Sequence, residues 1–258
     1  MLVESEAIVL QVRKYNDTSK IALLYSKEYG KISIIAKGAF TTKSGVSGML
    51  EPLSYVKIFF YKKASSDLHL LKSIEIVTHL NKILKNYNSL VLGLIAAEFT
   101  IYSQLDNHSN ADIFNNLVNY LKNLNDSESD KQILTIIFLL KLFESTGYLL
   151  NFSYVEEILD SSNFSNSSSN NNKVDIYIRD GKLASKPYES FIESKNIYNF
   201  HLSTLKKLNN YSKLEYEEVS VESEMSRLEF LEFIDFSCKF LEYHLAKKIV
   251  IKSLSLII

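Results

Sequence analysis

The hydrophobic period of the sequence changes near residue 81, and this change constrains the fold more than any other feature. Before it, short runs rich in Ile, Val, Tyr and Phe are separated by turn-forming residues, which is typical of β-strands. After it, Leu and Ile recur at helical spacing. We therefore predict an α+β chain, with residues 1–80 forming a strand domain and residues 81–258 a mainly helical domain.

The first block contains five short predicted strands, a number that favours a small barrel. They are residues 8–14, 20–26, 31–37, 53–63 and 68–77. In the third strand, Ile32, Ile34 and Ala36 alternate with a second set that includes Lys31, Ser33 and Lys37. Successive side chains of a strand point to opposite faces, so we expect one face of this strand to be buried.

The fourth predicted strand carries a mixed aromatic and basic stripe. Val56, Ile58 and Phe60 alternate with a second set that consists of Tyr55, Lys57, Phe59, Tyr61 and Lys63. Single-stranded nucleic acid is held by bases stacked on aromatic rings, while neighbouring lysines neutralise the phosphates. The stripe therefore indicates a nucleic-acid surface, or alternatively rings that pack against the helical domain.

Charge is unevenly distributed along the chain. The whole protein has a net charge of -1, yet residues 1–80 contain 11 Lys and Arg against 7 Asp and Glu. The loop of residues 36–45, AKGAFTTKSG, adds glycines that let Lys37 and Lys43 approach phosphates. The basic surface is therefore expected at the front of the chain.

Helices are predicted at residues 81–105, 111–124, 130–148, 201–209 and 223–254. Residues 162–172 are almost entirely Ser and Asn, and we predict a mobile loop there. Asp180 and Gly181 lie between two extended runs, which predicts a β-hairpin over residues 174–188.

No enzyme signature is found in the sequence. Gly45 and Gly48 lack the spacing of a phosphate-binding loop, and no two of the five histidines have metal-ligand spacing. The single Cys238 lies among phenylalanines and is interpreted as a buried core residue. We therefore predict neither enzyme activity nor a metal or cofactor.

The sequence also predicts a cytoplasmic protein. Glu4 and Glu6 stand where a secretory signal would carry positive charge. No run of about 20 uncharged apolar residues occurs, so no membrane partner is expected.

Several segments follow one another in an order that resembles the RecO family. They are IVLQVRKYND, ALLYSKEYGKIS, AKGAFTTKSG and LEPLSYVKIFFYKK in the first 63 residues, LFESTGYLLNF at residues 142–152, and FLEYHLAKKIVIKSLSL at residues 240–256. The resemblance implies an N-terminal OB-fold barrel of five strands followed by a helical domain. Many members carry a four-cysteine zinc ribbon after the middle segment, where this chain has Asn and Ser, so the ribbon is expected to be degenerate or absent.

The resemblance further implies a recombination mediator in DNA repair, located in the cytoplasm and associated with the nucleoid. Such a protein binds single- and double-stranded DNA, anneals complementary strands, contacts RecR and the tail of single-stranded DNA-binding protein (SSB), and indirectly helps to load RecA. By position in the matching segments, DNA contacts are expected at Arg13, Lys14, Lys31, Lys37, Phe40, Lys43, Lys57, Tyr61 and Lys63. The competing hypothesis is a protein-interaction adaptor whose barrel does not touch DNA.

Overall fold

The computed structural model describes residues 1–40, 45–63, 66–147, 150, 173–179, 182–184 and 197–257. Their contacts form two compact units, Met1–Ser127 with Ile251–Ile258, and Glu128–Val250. The first unit thus joins the predicted strand domain to the first helices of the predicted helical domain. The domain boundary after residue 80 stays a prediction.

Five strands form a closed barrel in the first unit. They are β1 (Leu2–Lys14), β2 (Lys20–Ser26), β3 (Gly30–Ala36), β4 (Tyr55–Tyr61) and β5 (Leu68–Thr78). The strand order around the barrel is β1-β2-β3-β5-β4, with β3 and β5 parallel and the other neighbours antiparallel. This is the five-stranded topology of an OB fold, so the predicted α+β fold class with an N-terminal barrel is confirmed.

The alternation of each strand decides which side chains fill the barrel. Ile32, Ile34 and Ala36 of β3 are buried in its core, as the sequence predicts. β1 begins at Leu2 rather than at Ile8, because Val3 and Ala7 also face the core while Glu4 is exposed between them. Burial of an aliphatic or aromatic side chain contributes about 1.5 to 3 kcal/mol, which makes this interior the main source of barrel stability.

Helices of the first unit pack beside the barrel. They are α1 (Val46–Met49), α2 (Asn81–Lys85), α3 (Tyr87–Ser103) and α4 (Ala111–Asp126). Asn86 and Asn110 cap α3 and α4, since each side chain accepts a hydrogen bond from backbone N–H groups of the first turn. The 3₁₀ turn Lys252–Leu256 returns to α3, where the Ser253 hydroxyl donates to Glu98 at 3.0 Å.

The second unit combines helices α5 (Lys131–Ser145), α6 (Leu202–Tyr211) and α7 (Arg227–Leu245) with a three-stranded sheet. The sheet has the order β7-β6-β8, formed by β6 (Lys173–Arg179), β7 (Lys182–Ala184) and β8 (Ile197–His201). Within the described ranges, every helix is too short or too polar to cross a lipid bilayer.

Two features of the second unit differ from the sequence-based predictions. The predicted helix over residues 223–254 ends at Leu245, because Ala246 adopts a left-handed conformation with φ 48°. Cys238 is half-buried in α7 rather than fully buried.

The predicted hairpin matches the antiparallel pairing of β6 with β7. Its turn at Asp180 and Gly181, and the Ser and Asn stretch at residues 162–172, lie outside the described residues. The side chains that the structure describes form no cluster of three or more potential metal ligands.

Candidate nucleic-acid interface

Basic residues meet at one end of the barrel. Arg13 and Lys14 are the last residues of β1, and Lys14 lies opposite Lys20 of β2. Lys20 in turn lies opposite Ala36, the last residue of β3, so Lys37 follows at the same end. We call Arg13, Lys14, Tyr15, Lys37 and Phe40 the basic barrel end.

Two loops of the basic barrel end are joined by a backbone hydrogen bond. The N–H of Tyr15 donates to the Ser19 carbonyl at 3.0 Å, which closes the turn between β1 and β2. Inside this turn, the Asn16 side chain accepts from the Thr18 N–H at 3.0 Å. The N–H of Phe40 donates to the Thr18 carbonyl at 3.2 Å, so the segment after β3 is held against the turn.

Lys20 is a buried cation beneath this end, and it is not among the contact residues predicted from the sequence. Its side chain is 7% exposed, and Nζ donates to Glu51 Oε1 at 2.7 Å and to the Ser47 carbonyl at 3.0 Å. Nζ also lies 5.2 Å from the centre of the Phe40 ring. Lys20 therefore holds α1 and the Phe40 ring in place rather than binding a phosphate. The sequence signal for this role is the position of Lys20 two residues before Ala22, because side chains two apart in a strand point to the same face.

The remaining cations of the basic barrel end are open to solvent. Arg13, Lys14 and Lys37 are exposed, and one nearby carboxylate, Asp17, pairs with Lys14 at 3.1 Å. Both partners of this pair are exposed, so it holds Lys14 only weakly. Rings stand among these charges, since Tyr15 is 59% and Phe40 43% exposed. The combination of exposed cations and exposed rings is the one that single-stranded nucleic acid requires.

The outward face of β4 has a different electrostatic character from the one expected. Lys57 pairs with Glu4 at 3.1 Å, and the register places Glu6 and Glu75 directly beside it on the two neighbouring strands. We call Glu4, Glu6, Lys57 and Glu75 the acidic strand face. Three carboxylates against one ammonium group on the same face repel a polyanion, and the sequence of β4 alone does not reveal the acids on β1 and β5.

The sequence left open whether the rings of β4 pack against helices or form an exposed surface, and Tyr55 and Tyr61 differ in this respect. Tyr55 is buried against Phe114 of α4, with ring centres 6.2 Å apart, and its hydroxyl donates to Glu6. Burial and the Glu6 carboxylate raise the pKa of the Tyr55 phenol. Tyr61, at the end of the strand, is exposed opposite Leu2.

Two other expected contact residues lie away from the basic barrel end. The Lys31 side chain is 13% exposed, and Nζ donates to the Ile101 and Gln104 carbonyls at the end of α3 and pairs with Asp106 at 3.1 Å. These partners occupy the cation, which acts as a C-terminal cap of α3. Lys63 is exposed beyond the end of β4, which pairs with the start of β1 and is therefore at the opposite end of the barrel. Lys43 lies outside the described residues.

The fold and this surface define an OB-barrel protein with a basic, ring-bearing end. Family models described as the N-terminal and C-terminal parts of Recombination protein O match residues 1–80 and 84–250. The chain therefore belongs to the RecO family.

Curated relatives agree with this assignment. The chain is similar to proteins named DNA repair protein RecO from Chlorobaculum parvum, with 29% identity over 148 residues, and from Clostridium acetobutylicum, with 28% identity over 153 residues. The first match covers 57% of this chain and 57% of the relative, and the second covers 59% and 61%. The chain thus spans less than two thirds of the length of these relatives.

Proposed function

We propose that this protein is a DNA-binding recombination mediator that acts in DNA repair. In this proposal it binds single- and double-stranded DNA, anneals complementary strands and helps to load RecA onto DNA coated with SSB. The observation that carries the proposal is the basic barrel end, where exposed cations surround exposed rings. The names of the family models and of the relatives support the same role.

The proposed DNA contacts are Arg13, Lys14, Lys37 and Phe40, with Lys43 added from the sequence alone. Cations that neutralise phosphates release condensed counterions, and this release drives binding that weakens as salt rises. Lys31 is left out of the proposed contacts because carbonyl and carboxylate oxygens surround its ammonium group. Lys57 is left out because it pairs with Glu4 and lies between Glu6 and Glu75 on the neighbouring strands. Tyr61 and Lys63 are left out because they lie at the opposite end of the barrel.

The proposal contains no covalent step and no cofactor. Its partners besides DNA are RecR and the tail of SSB, and its place of action is the nucleoid in the cytoplasm. The resemblance to the RecO family supports these proposed partners.

The acidic strand face favours one alternative, a protein-interaction adaptor. Leu2 and Tyr61 are exposed beside Glu4, so this part of the barrel combines apolar and acidic groups. Such a surface fits a protein partner better than DNA. The adaptor and the mediator differ in whether the barrel contacts a polynucleotide at all.

A strand-annealing assay separates the two functions. Complementary oligonucleotides, bare or coated with SSB, are mixed with the wild-type protein and with the Lys14→Glu, Lys37→Glu double variant. We expect the wild type to accelerate annealing on both substrates and the variant to lose most of this acceleration. A Lys85→Glu, Lys206→Glu variant changes the net charge equally at two exposed sites elsewhere and should anneal as the wild type does. A wild-type protein that neither binds nor anneals DNA would favour the adaptor.

A further inference from the structure

Two exposed aromatic rings of the basic barrel end lie on loops that are bonded to each other. We propose that Tyr15 and Phe40 are a stacking site that makes this end select unpaired nucleotides over duplex DNA. This inference rests on the proposed function and adds a strand preference and one residue, Tyr15, that is not among the contacts predicted from the sequence. Tyr15 is the more exposed of the two rings.

Tyr15 is presented by a short, well-bonded turn. Its N–H is fixed to the Ser19 carbonyl at 3.0 Å, and the Asn16 side chain stabilises the same turn through the Thr18 N–H. The ring directly follows the two exposed cations Arg13 and Lys14. A base that stacks on Tyr15 therefore meets a backbone that is already ordered, beside charges that receive its phosphates.

Phe40 is held from one side and open on the other. The ammonium group of Lys20, fixed by Glu51 and by the Ser47 carbonyl, lies 5.2 Å from the ring centre. The hydrogen bond from the Phe40 N–H to Thr18 fixes its backbone to the turn that carries Tyr15. The exposed part of this ring is then available to a second base.

The strand preference follows from which contacts each kind of DNA can make. Arg13, Lys14 and Lys37 attract the phosphates of single and double strands alike. In a duplex, every base is already stacked on its neighbours, so its face is open to a ring only after costly unstacking. The rings therefore add affinity for an unpaired strand and leave duplex affinity to the cations.

Tyr61 shows why exposure alone does not make such a site. Its ring is as exposed as that of Phe40, but Tyr61 is the last residue of the strand that carries Lys57, where Glu4, Glu6 and Glu75 repel phosphates. Tyr61 is accordingly the matched control for loss of an exposed ring.

The test compares the affinities of Tyr15→Ala and Phe40→Ala for an oligothymidine strand and for a duplex of equal length, by fluorescence anisotropy of the full chain. We expect each change to weaken single-strand binding by about 5-fold to 150-fold, which corresponds to about 1 to 3 kcal/mol per stacked base. Duplex affinity should stay within about twofold, because the phosphate contacts remain. Tyr15→Phe should keep the single-strand affinity, and Tyr61→Ala should change neither affinity.

Equal losses on both substrates, or no loss on the single strand, would overturn the strand preference. If the proposed function itself is wrong, the wild-type protein binds neither the single strand nor the duplex. The two failures can therefore be distinguished. Phe40→Leu guards against a folding defect at the partly buried ring, because it keeps apolar volume but removes the stacking face. If Phe40→Leu binds the single strand as tightly as wild type does, Phe40 is not a stacking residue.

Discussion

Lys20 illustrates how one inward side chain organises the surface above it. A buried ammonium group is costly unless it is paired and hydrogen-bonded. Here the carboxylate of Glu51 and the carbonyls of Ser47 and Leu50 surround Nζ at 2.7 to 3.4 Å. The same group faces the Phe40 ring, so an interior charge fixes the position of an exposed aromatic residue.

Replacing Lys20 by Met should destabilise the barrel. Methionine is unbranched and uncharged but one atom shorter than lysine, and it leaves two carbonyls and the Glu51 carboxylate without their donor. We expect a loss of about 1 to 3 kcal/mol in the free energy of unfolding. Urea denaturation followed by circular dichroism measures the change. Lys27→Met removes an exposed lysine and serves as the control. Equal stabilities of the two variants would show that the Lys20 contacts contribute nothing.

His69 should make stability depend on pH. The ring is buried against Phe60, with centres 5.4 Å apart, and Nδ1 accepts from the Lys63 N–H at 3.4 Å. None of the described groups bonds to Nε2. Burial first, and then the charges of Lys62 and Lys63 against the opposing Asp67, lower the pKa of His69. The folded protein thus binds this proton less readily than the unfolded chain does.

The free energy of unfolding should therefore fall as the pH drops below the ordinary histidine pKa of about 6.5. We expect His69→Leu to weaken this fall between about pH 7 and about pH 5. Part of the fall should remain, because burial also lowers the pKa of His244. Denaturant titrations at several pH values measure the slope. His108→Leu, at an exposed histidine, should keep the wild-type slope, and an unchanged slope in His69→Leu would contradict the argument.

At the scale of elements, β3 is held against the segment between α3 and α4. The Asn107 N–H donates to the Lys31 carbonyl at 3.0 Å, and Lys31 pairs with Asp106. Gly30 permits this approach, since it has φ 65° and an added Cβ would lie 2.0 Å from the His108 carbonyl oxygen. The backbone at the start of β3 and the backbone of the connecting segment therefore lie too close together for a side chain at position 30.

Gly30→Ala should consequently cost more than about 3 kcal/mol, because backbone strain and a clash with backbone atoms act together. Gly147→Ala is a matched control, since Gly147 also has a positive φ but an added Cβ would meet none of the described atoms within 4 Å. That change should cost only about 1 kcal/mol. Thermal unfolding of the two variants measures the difference, and similar losses would mean that the contact with the 106–108 segment is not tight.

Local patterns in the sequence predict the elements but not their partners. The five strands follow from alternation and turn residues, and Ile32, Ile34 and Ala36 are buried as that alternation predicts. The end of α7 could not be found in this way, because neither Gly nor Pro marks the left-handed Ala246. The partners of Lys31 and Lys57 depend on register and on distant helices, which a run of residues in one strand does not contain.

At the scale of the whole molecule, the net charge is near zero although one barrel carries two surfaces of opposite charge. The basic barrel end carries three exposed cations, whereas the acidic strand face surrounds Lys57 with carboxylates. The excess of cations in the first 80 residues predicts a basic surface, but only the folded barrel separates the cations that are open from those that are paired. The proposed function therefore assigns DNA to one end of the barrel.

The dependence of DNA affinity on salt concentration directly tests DNA binding at the basic barrel end. Each cation that neutralises a phosphate of a single strand adds about 0.7 to the slope of log affinity against log salt concentration. Arg13→Gln and Lys37→Gln should each lower the slope by about that amount, while Lys57→Gln should leave the wild-type slope unchanged. A slope that is insensitive to Arg13 and Lys37, or one that falls on removal of Lys57, would contradict DNA binding at the basic barrel end.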